Sequence, residues 1–317
     1  MTNELPSVSV IIPARPEQCE IKAATASLAL DYPKEKVEII IARGKQPSIQ
    51  RNKAIAVAKN EIIYFLDDDS VPPPNNLRNA VAHFSNPSVV MVGGPNLCPP
   101  DAPRIEQSFA LTMAAWIAFG PSRARYSAIG TTRPSSEKEL ILCNLLARRD
   151  AIVKLGGFDE TLYPNEENAL MDNLQKQGGI LLYDPSLAVL RRPRSSLKAF
   201  VKMLTNYGRG RAEQFRLHPT PGSALNFVPP LFCVYLISWP WIPAMAQELL
   251  FLYFFILFIQ GVALAGLKKA AQIPSLVFLI LITHIFYGFG FWRGLFTNLK
   301  RDTTSISSSV ELEHLTL

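Results

Sequence analysis

The sequence predicts an α/β domain over residues 1–215, followed by helices that cross a membrane. Three observations carry this. Short, almost wholly apolar runs alternate with helical stretches between Val8 and Val92. An acidic triplet, Asp67-Asp68-Asp69, closes one of these runs. Long, nearly uncharged stretches then fill the chain from Phe227 to Trp292.

The expected strands are Val8 to Ile12, Val37 to Ile41, Ile62 to Leu66 and Val89 to Val92. Each is apolar at nearly every position, as a central parallel strand covered on both faces must be. Pro47 and Ser48 open a helix running to about Lys59. Gly93, Gly94 and Pro95, then Pro99, Pro100 and Pro103, mark a loop. The middle section is less regular until Gly156 and Gly157 form a turn before Phe158. A helix from about Glu167 to Gln177 sets Leu170 and Leu174 on one face, and Gly178 and Gly179 end it. Ile180 to Tyr183 reads as another strand. Ser195 and Ser196 cap an amphipathic helix, with Leu197, Phe200, Val201 and Leu204 opposite Lys198 and Lys202, suited to lie on a membrane surface.

From Phe227 to Gly266 the only charge is Glu248, and the stretch is about twice the roughly 20 residues needed for one crossing. Two spans fit there, and a third runs from Ile273 to about Trp292. Trp239, Pro240, Trp241 and Pro243 break the first segment, which reads either as a full crossing or as a re-entrant piece. The membrane part is therefore residues 216–300, with two or three transmembrane helices, and the Ser/Thr-rich tail 301–317 is expected to be disordered.

Composition narrows the partners. The net charge is +6 with a pI near 9.1, but the basic residues form no dense run of the kind that grips nucleic acid. Lys268 and Lys269 precede the third apolar stretch, and Arg293, Lys300 and Arg301 follow it, which points to a membrane surface instead. Cys19, Cys98, Cys143 and Cys233 show neither CxxC spacing nor a companion histidine cluster, so no zinc site or disulfide framework is indicated. Met1 to Pro6 has no basic segment followed by an apolar core, so residues 1–215 are expected on the cytoplasmic face of the inner (plasma) membrane.

Three carboxylates at the end of a buried strand repel one another and call for a cation. Mg²⁺ or Mn²⁺ would suit them, leaving positions open for phosphate oxygens; a solvated acidic turn is the blander reading. Glu166 and Glu167 lie near a helix start, where the backbone favours an ionised carboxylate able to accept a proton. With Asn165 they read equally as helix capping.

Val8 to Pro13, Asp67-Asp68-Asp69, Gly156-Gly157-Phe158-Asp159-Glu160, Glu166-Glu167 with Leu170 and Leu174, Tyr183-Asp184-Pro185 and Tyr207-Gly208-Arg209-Gly210-Arg211 keep one order over residues 6–215. Together they resemble a family-2 glycosyltransferase of the GT-A fold. With the C-terminal spans, the chain is similar to membrane-anchored bacterial exopolysaccharide glycosyltransferases. The resemblance implies that Asp67 and Asp69 bind the metal and the donor diphosphate, with Asp68 between them. It places Pro13, Ala14 and Arg51 at the nucleotide and Glu167 as catalytic base. It implies inverting transfer from a nucleotide-sugar donor, and the tether to a bilayer points to a membrane lipid or lipid-linked acceptor. Asn96, Asn144, Glu166, Arg209 and Arg211 are weaker candidates for acceptor or phosphate contacts. Gly93-Gly94-Pro95-Asn96 reads also as a strand-ending turn, and Tyr207 to Arg211 either as a loop closing over phosphate or as a basic collar before a span.

Three departures from the family pattern stand out. Ile41-Ala42-Arg43-Gly44 lacks the aspartate that usually recognises the nucleobase. Leu190, Arg191, Arg192 and Pro193 stand where a histidine is often found. No Gln-x-x-Arg-Trp motif is present, which favours transfer of a single sugar over polymerisation. A catalytically inactive, membrane-anchored nucleotide-sugar-binding or scaffolding protein is the alternative. A nucleotidyltransferase is disfavoured, since Pro13-Ala14-Arg15-Pro16 replaces any Gly-rich loop after the first strand.

Overall fold

The computed structural model describes residues 4–160, 166–217, 219, 221–297 and 309–315. The chain opens with β1 (Val8–Ala14), α1 (Lys22–Leu28), β2 (Val37–Arg43), α2 (Pro47–Val57) and β3 (Ile62–Leu66). Next come α3 (Asn76–Val81), β4 (Val89–Gly93), β5 (Asn96–Leu97), α4 (Arg104–Met113) and α5 (Trp116–Phe119). They are followed by β6 (Arg133–Pro134), β7 (Asn144–Arg148), α6 (Arg149–Lys154), α7 (Glu166–Lys176), β8 (Ile180–Tyr183) and β9 (Val189–Leu190). The C-terminal part holds α8 (Leu197–Leu217), α9 (Val228–Ser238), α10 (Ala244–Ala265), α11 (Ile273–Phe296) and β10 (Glu311–Leu315).

Eight strands form one sheet in the order β10-β2-β1-β3-β7-β4-β8-β6. β1 runs parallel to β2 and β3, as the apolar runs predict, but β7 enters antiparallel between β3 and β4. The sheet is therefore mixed. Strand periodicity sends Val10 and Ile12 to one face, with Ile39, Ile41, Tyr64 and Leu66, and Ile11 to the other, with Ile40, Ile63 and Phe65. Because both faces are covered, every residue of β3 is buried, and truncating one such as Phe65 to alanine would cost about 3–5 kcal/mol.

The chain divides into two compact units that differ from the division expected from sequence. The first comprises residues 1–99, 124–191 and 302–317, and the second residues 100–123 and 192–301. The boundary thus falls after Arg191 rather than after 215, and the segment after the Pro-rich loop joins the apolar helices.

The tail expected to be disordered contributes a strand. Glu311–Leu315 pairs antiparallel with β2, with Glu311 opposite Arg43 and Leu315 opposite Ile39. Val310 and Leu312 pack against one core and Leu315 against the other, so period-two alternation is present in this short charged segment. Residues 301–308 lie outside the described part.

In the second unit, α8 is a continuous helix of 21 residues that contains Tyr207 to Arg211, so the glycine-arginine alternation is not a loop. Gly208 serves packing: a Cβ there would lie 2.0 Å from the Tyr287 carbonyl oxygen of α11. On α11, a Cβ on Gly290 would lie 2.1 Å from the Thr205 carbonyl oxygen of α8. Backbones this close need small residues at the contact, the usual device for packing helices in lipid. Phe109 of α4 stacks on Phe200 of α8 at 4.4 Å, and the Arg192 guanidinium donates to both oxygens of the buried Glu106 carboxylate, at 2.7 and 2.6 Å.

Three segments are long and apolar enough to cross a membrane: Ala224–Trp241, Ala244–Ala265 and Ala270–Phe296. The first is assembled from α9 with 3-10 turns at either end, the later one being Trp239–Trp241. Along α10, Leu249, Phe251, Leu252, Phe255, Phe258 and Ile259 are exposed, an apolar face suited to lipid.

Candidate active site

From β1 the chain passes to β2 on one side and later to β3 on the other, so connections leave the carboxyl ends of β1 and β3 in opposite directions. In an open α/β sheet a ligand crevice forms at such a reversal. β3 ends at Leu66 and the chain turns at once, with the Ser70 N–H donating to the Asp67 carbonyl at 3.0 Å. Val71 and Leu190 then exchange backbone bonds at 2.9 Å in each direction, and the Arg191 N–H donates to Leu97 O at 2.9 Å. These bonds fix Asp67-Asp68-Asp69 on a turn and bring the Arg191 backbone beside it.

Carboxylates and guanidinium groups alternate from that turn to the start of α7. Asp69 Oδ1 accepts from Arg191 Nε at 2.6 Å, and Arg191 Nη2 lies 3.1 Å from Asp67 Oδ2. Asp67 Oδ1 accepts from Arg51 Nη2 at 3.0 Å, and Arg51 Nη1 lies 3.4 Å from Glu166 Oε1. Arg51 is only 5% exposed and Glu166 only 4%, so this end of the chain of charges is buried. The Arg51 guanidinium also sits 6.0 Å from the Phe158 ring centre, which places the Gly-Gly-Phe motif beside it. Burial opposes the charge on Arg191, yet Asp67, Cys143 and Asp69 outweigh it and hold the arginine pKa well above its ordinary value. Asp68 departs from the chain and accepts from Gln18 Nε2 at 2.5 Å.

A divalent cation fits the Asp67 and Asp69 pair by donor type, since both are hard oxygen ligands and both already converge on a single cationic group. Among the described residues no cluster of three or more His, Cys, Asp or Glu side chains is arranged to hold a metal.

Glu166 and Glu167 open α7, and their environments differ. Glu166 is buried against Arg51, whereas Glu167 is half-buried and makes no hydrogen bond or ion pair among the described residues. The start of α7 is further anchored by Arg125 Nη2, which donates to Asn168 Oδ1 at 2.8 Å. Asn165 lies outside the described residues.

The other candidates fall into two groups. Pro13 and Ala14 end β1 at the crevice, where the buried Gln50 amide donates to Ala14 O at 2.8 Å and to Ala42 O at 2.5 Å, clamping β1 to β2. Asn96 and Asn144 are buried. Asn144 Oδ1 accepts from the Tyr64 hydroxyl at 3.1 Å, and its amide donates to the Leu187 carbonyl. Asn96 Nδ2 donates to Cys143 Sγ at 3.5 Å, and burial pushes that thiol up to about 11. Asn144 thus ties β7 to the core. Gly94 is required by close approach: a Cβ there would lie 2.2 Å from Leu187 O. β4 ends at Gly93. Arg209 and Arg211 belong to α8 in the second unit, where Arg209 Nε lies 3.5 Å from Glu213 and Arg211 donates to Gln214 at 3.0 Å.

Sequence reasoning missed three participants. Arg191 entered it only as the residue standing in place of histidine. Gln18, which holds Asp68, carried no signal. Arg43, at the position where the nucleobase aspartate is absent, pairs with Glu313 of β10 at 3.1 Å, so the tail supplies a carboxylate there.

A model of the family described as "Glycosyl transferase family group 2" matches residues 62–292, from β3 through most of α11. The "Pre-mycofactocin glycosyltransferase" of Mycobacterium tuberculosis is 26% identical over 186 residues, which are 55% of this chain and 36% of that relative. The aligned part therefore spans about a third of the relative's length. Among solved structures, the mannosyltransferase PcManGT from Pyrobaculum calidifontis, in complex with GDP-Man and Mn²⁺, has a TM-score of 0.58 at 16% identity. That alignment covers 89% of this chain and 87% of PcManGT, so the two share a fold. Staphylococcus aureus TarS 1-349 with UDP-GlcNAc reaches a TM-score of 0.46 at 12% identity, covering 90% of this chain and 91% of that one.

Proposed function

This chain belongs to glycosyl transferase family group 2, and from that premise we propose that it moves one sugar from a nucleotide-sugar donor to a membrane-associated acceptor, with inversion at the anomeric carbon. The observation that carries the reading is the run Asp69, Arg191, Asp67, Arg51 and Glu166 at the carboxyl ends of the strands, followed in the chain by Glu167, which makes no ion pair among the described residues. Donor diphosphate and acceptor hydroxyl are the two groups such a site is built to handle.

In this reading Asp67 and Asp69 hold Mg²⁺ or Mn²⁺ together with the donor. Such a cation neutralises charge on the diphosphate as it leaves. Pro13, Ala14 and Arg51 border the nucleotide. The acceptor hydroxyl displaces the nucleoside diphosphate in one in-line step: its oxygen bonds to the anomeric carbon, the bond to the diphosphate oxygen breaks, and the hydroxyl proton passes to Glu167. Glu166 is committed to Arg51, which leaves Glu167 as the base. Arg51 ties the carboxylate turn to the start of α7, so the donor and acceptor ends of the site keep a fixed spacing.

The apolar helices tether the protein to the inner membrane as a multi-pass protein, with the sheet-bearing unit on the cytoplasmic side, where nucleotide sugars are made. The acceptor is accordingly a lipid or lipid-linked glycan. The test is a screen of radiolabelled GDP- and UDP-sugars with the purified full chain and a lipid extract. Label moving into the lipid phase with release of nucleoside diphosphate is expected. Release of pyrophosphate, or no turnover with any donor despite binding, would refute transfer.

A further inference from the structure

We propose that Arg191 is a resident counter-ion at the cation site, so that a divalent metal binds weakly alone and tightly only together with a nucleoside diphosphate. The inference rests on the reading of Asp67 and Asp69 as metal and donor ligands, and adds a role for a residue which that reading does not use.

One guanidinium spans both carboxylates, Nε on Asp69 at 2.6 Å and Nη2 on Asp67 at 3.1 Å, and the second Asp67 oxygen is taken by Arg51 at 3.0 Å. A metal arriving alone meets a site whose negative charge is already compensated, and it must sit close to a positive group or expel it. The described residues supply no third acidic, histidine or cysteine ligand to repay that cost. A nucleoside diphosphate changes both terms. Its oxygens provide the missing ligands, and its charge gives the displaced guanidinium a new partner whose geometry matches the fork of arginine. Only the Arg191 side chain needs to move. Its backbone is held by Leu97 O, and the flanking Leu190 pairs with Val71, while the side chain remains 23% exposed and open to an incoming phosphate. Arg191 acts through the cation site and is a positioning residue.

The test is Mn²⁺ binding by the metal-stripped full chain in detergent, read from the paramagnetic resonance signal of free Mn²⁺ with and without GDP or UDP. For the wild type, nucleotide should tighten Mn²⁺ binding by about tenfold or more, and Arg191→Gln should bind Mn²⁺ alone about tenfold more tightly than wild type while losing most of the nucleotide effect. Arg191→Lys keeps the charge and should bind Mn²⁺ alone as weakly as wild type. If Arg191→Gln binds Mn²⁺ alone no more tightly, or if the Lys and Gln variants shift equally, the counter-ion role is overturned while the metal site stands. If no protein binds Mn²⁺ even with nucleotide, the metal reading fails as well.

Discussion

Arg51→Met is the most informative single perturbation of the scaffold under the site. Arg51 joins Asp67 at 3.0 Å and Glu166 at 3.4 Å, and Glu166 is 4% exposed. Methionine fills similar volume but leaves a buried carboxylate short of its cation. Removing one partner of a buried pair costs about 3–5 kcal/mol. Asp67 is 24% exposed and recovers part of its loss in water, so the expected cost lies near the lower end, about 3 kcal/mol. Adding Glu166→Gln removes the charge that Arg51 had compensated and should restore about 1–2 kcal/mol, which makes the double variant more stable than Arg51→Met alone. Tryptophan fluorescence is unsuitable, since all four tryptophans lie in the second unit. Alkylation of the buried Cys143 thiol across a urea series, read by mass spectrometry, reports opening of the first unit. A cost below about 1 kcal/mol for Arg51→Met, or a double variant no more stable than the single, would refute the buried-pair argument.

Three further outcomes are expected. Asp184 pairs with His83 Nε2 at 2.8 Å and accepts from Ser186 N and Oγ at 2.9 and 2.7 Å; burial works against its charge, but these partners prevail and lower its pKa. Its contribution is then fully present above the ordinary aspartate value of about 3.9 and is lost as pH falls through the lower folded value, so Asp184→Asn should remove part of the acid loss of stability. Urea midpoints between about pH 5 and pH 2 would show it, and an unchanged acid limb would count against the pairing. Gly94→Ala forces a methyl group toward Leu187 O and should cost about 1–3 kcal/mol in the same alkylation assay, a neutral result contradicting the close approach. Carbonate washing of membranes should leave the protein in the pellet, because α10 and α11 are of spanning length; recovery in the supernatant would overturn membrane integration.

Much of the sheet was legible because β1, β2, β3 and β4 are apolar at nearly every position and separated by helix and turn signals. β8 was marked equally well by Gly178-Gly179 ahead of it. β7 was not legible. Asn144-Leu145-Leu146-Ala147-Arg148 has no β-branched residue, and it is a strand because β3 and β4 flank it on both sides, a tertiary cause that local propensity does not register. β10 carried its alternation faintly, in five residues with two glutamates, and its partner β2 lies some 270 residues earlier. The Gly-Arg alternation of Tyr207 to Arg211 read either as a loop closing over phosphate or as a basic collar before a span, and glycine is a poor helix former in water. α8 keeps it as helix, and Gly208 admits the α11 backbone. At the site, residue types announced the acids, and their order carried the family resemblance. Arg51 was marked only as a nucleotide contact and Arg191 not at all, since nothing local to Arg191 points to a carboxylate so far back along the chain.

The most direct measurement compares Glu167→Gln with Glu166→Gln in single-turnover transfer, alongside donor binding by titration calorimetry. Glutamine keeps the size of glutamate and removes its basicity. For Glu167→Gln, donor affinity should be retained while turnover falls by about 10²- to 10⁴-fold, the range for loss of a general base. Glu166→Gln should weaken stability through Arg51 and slow transfer far less. Wild-type turnover by Glu167→Gln, or a larger loss with Glu166→Gln, would contradict the assignment of the base and the mechanism built on it.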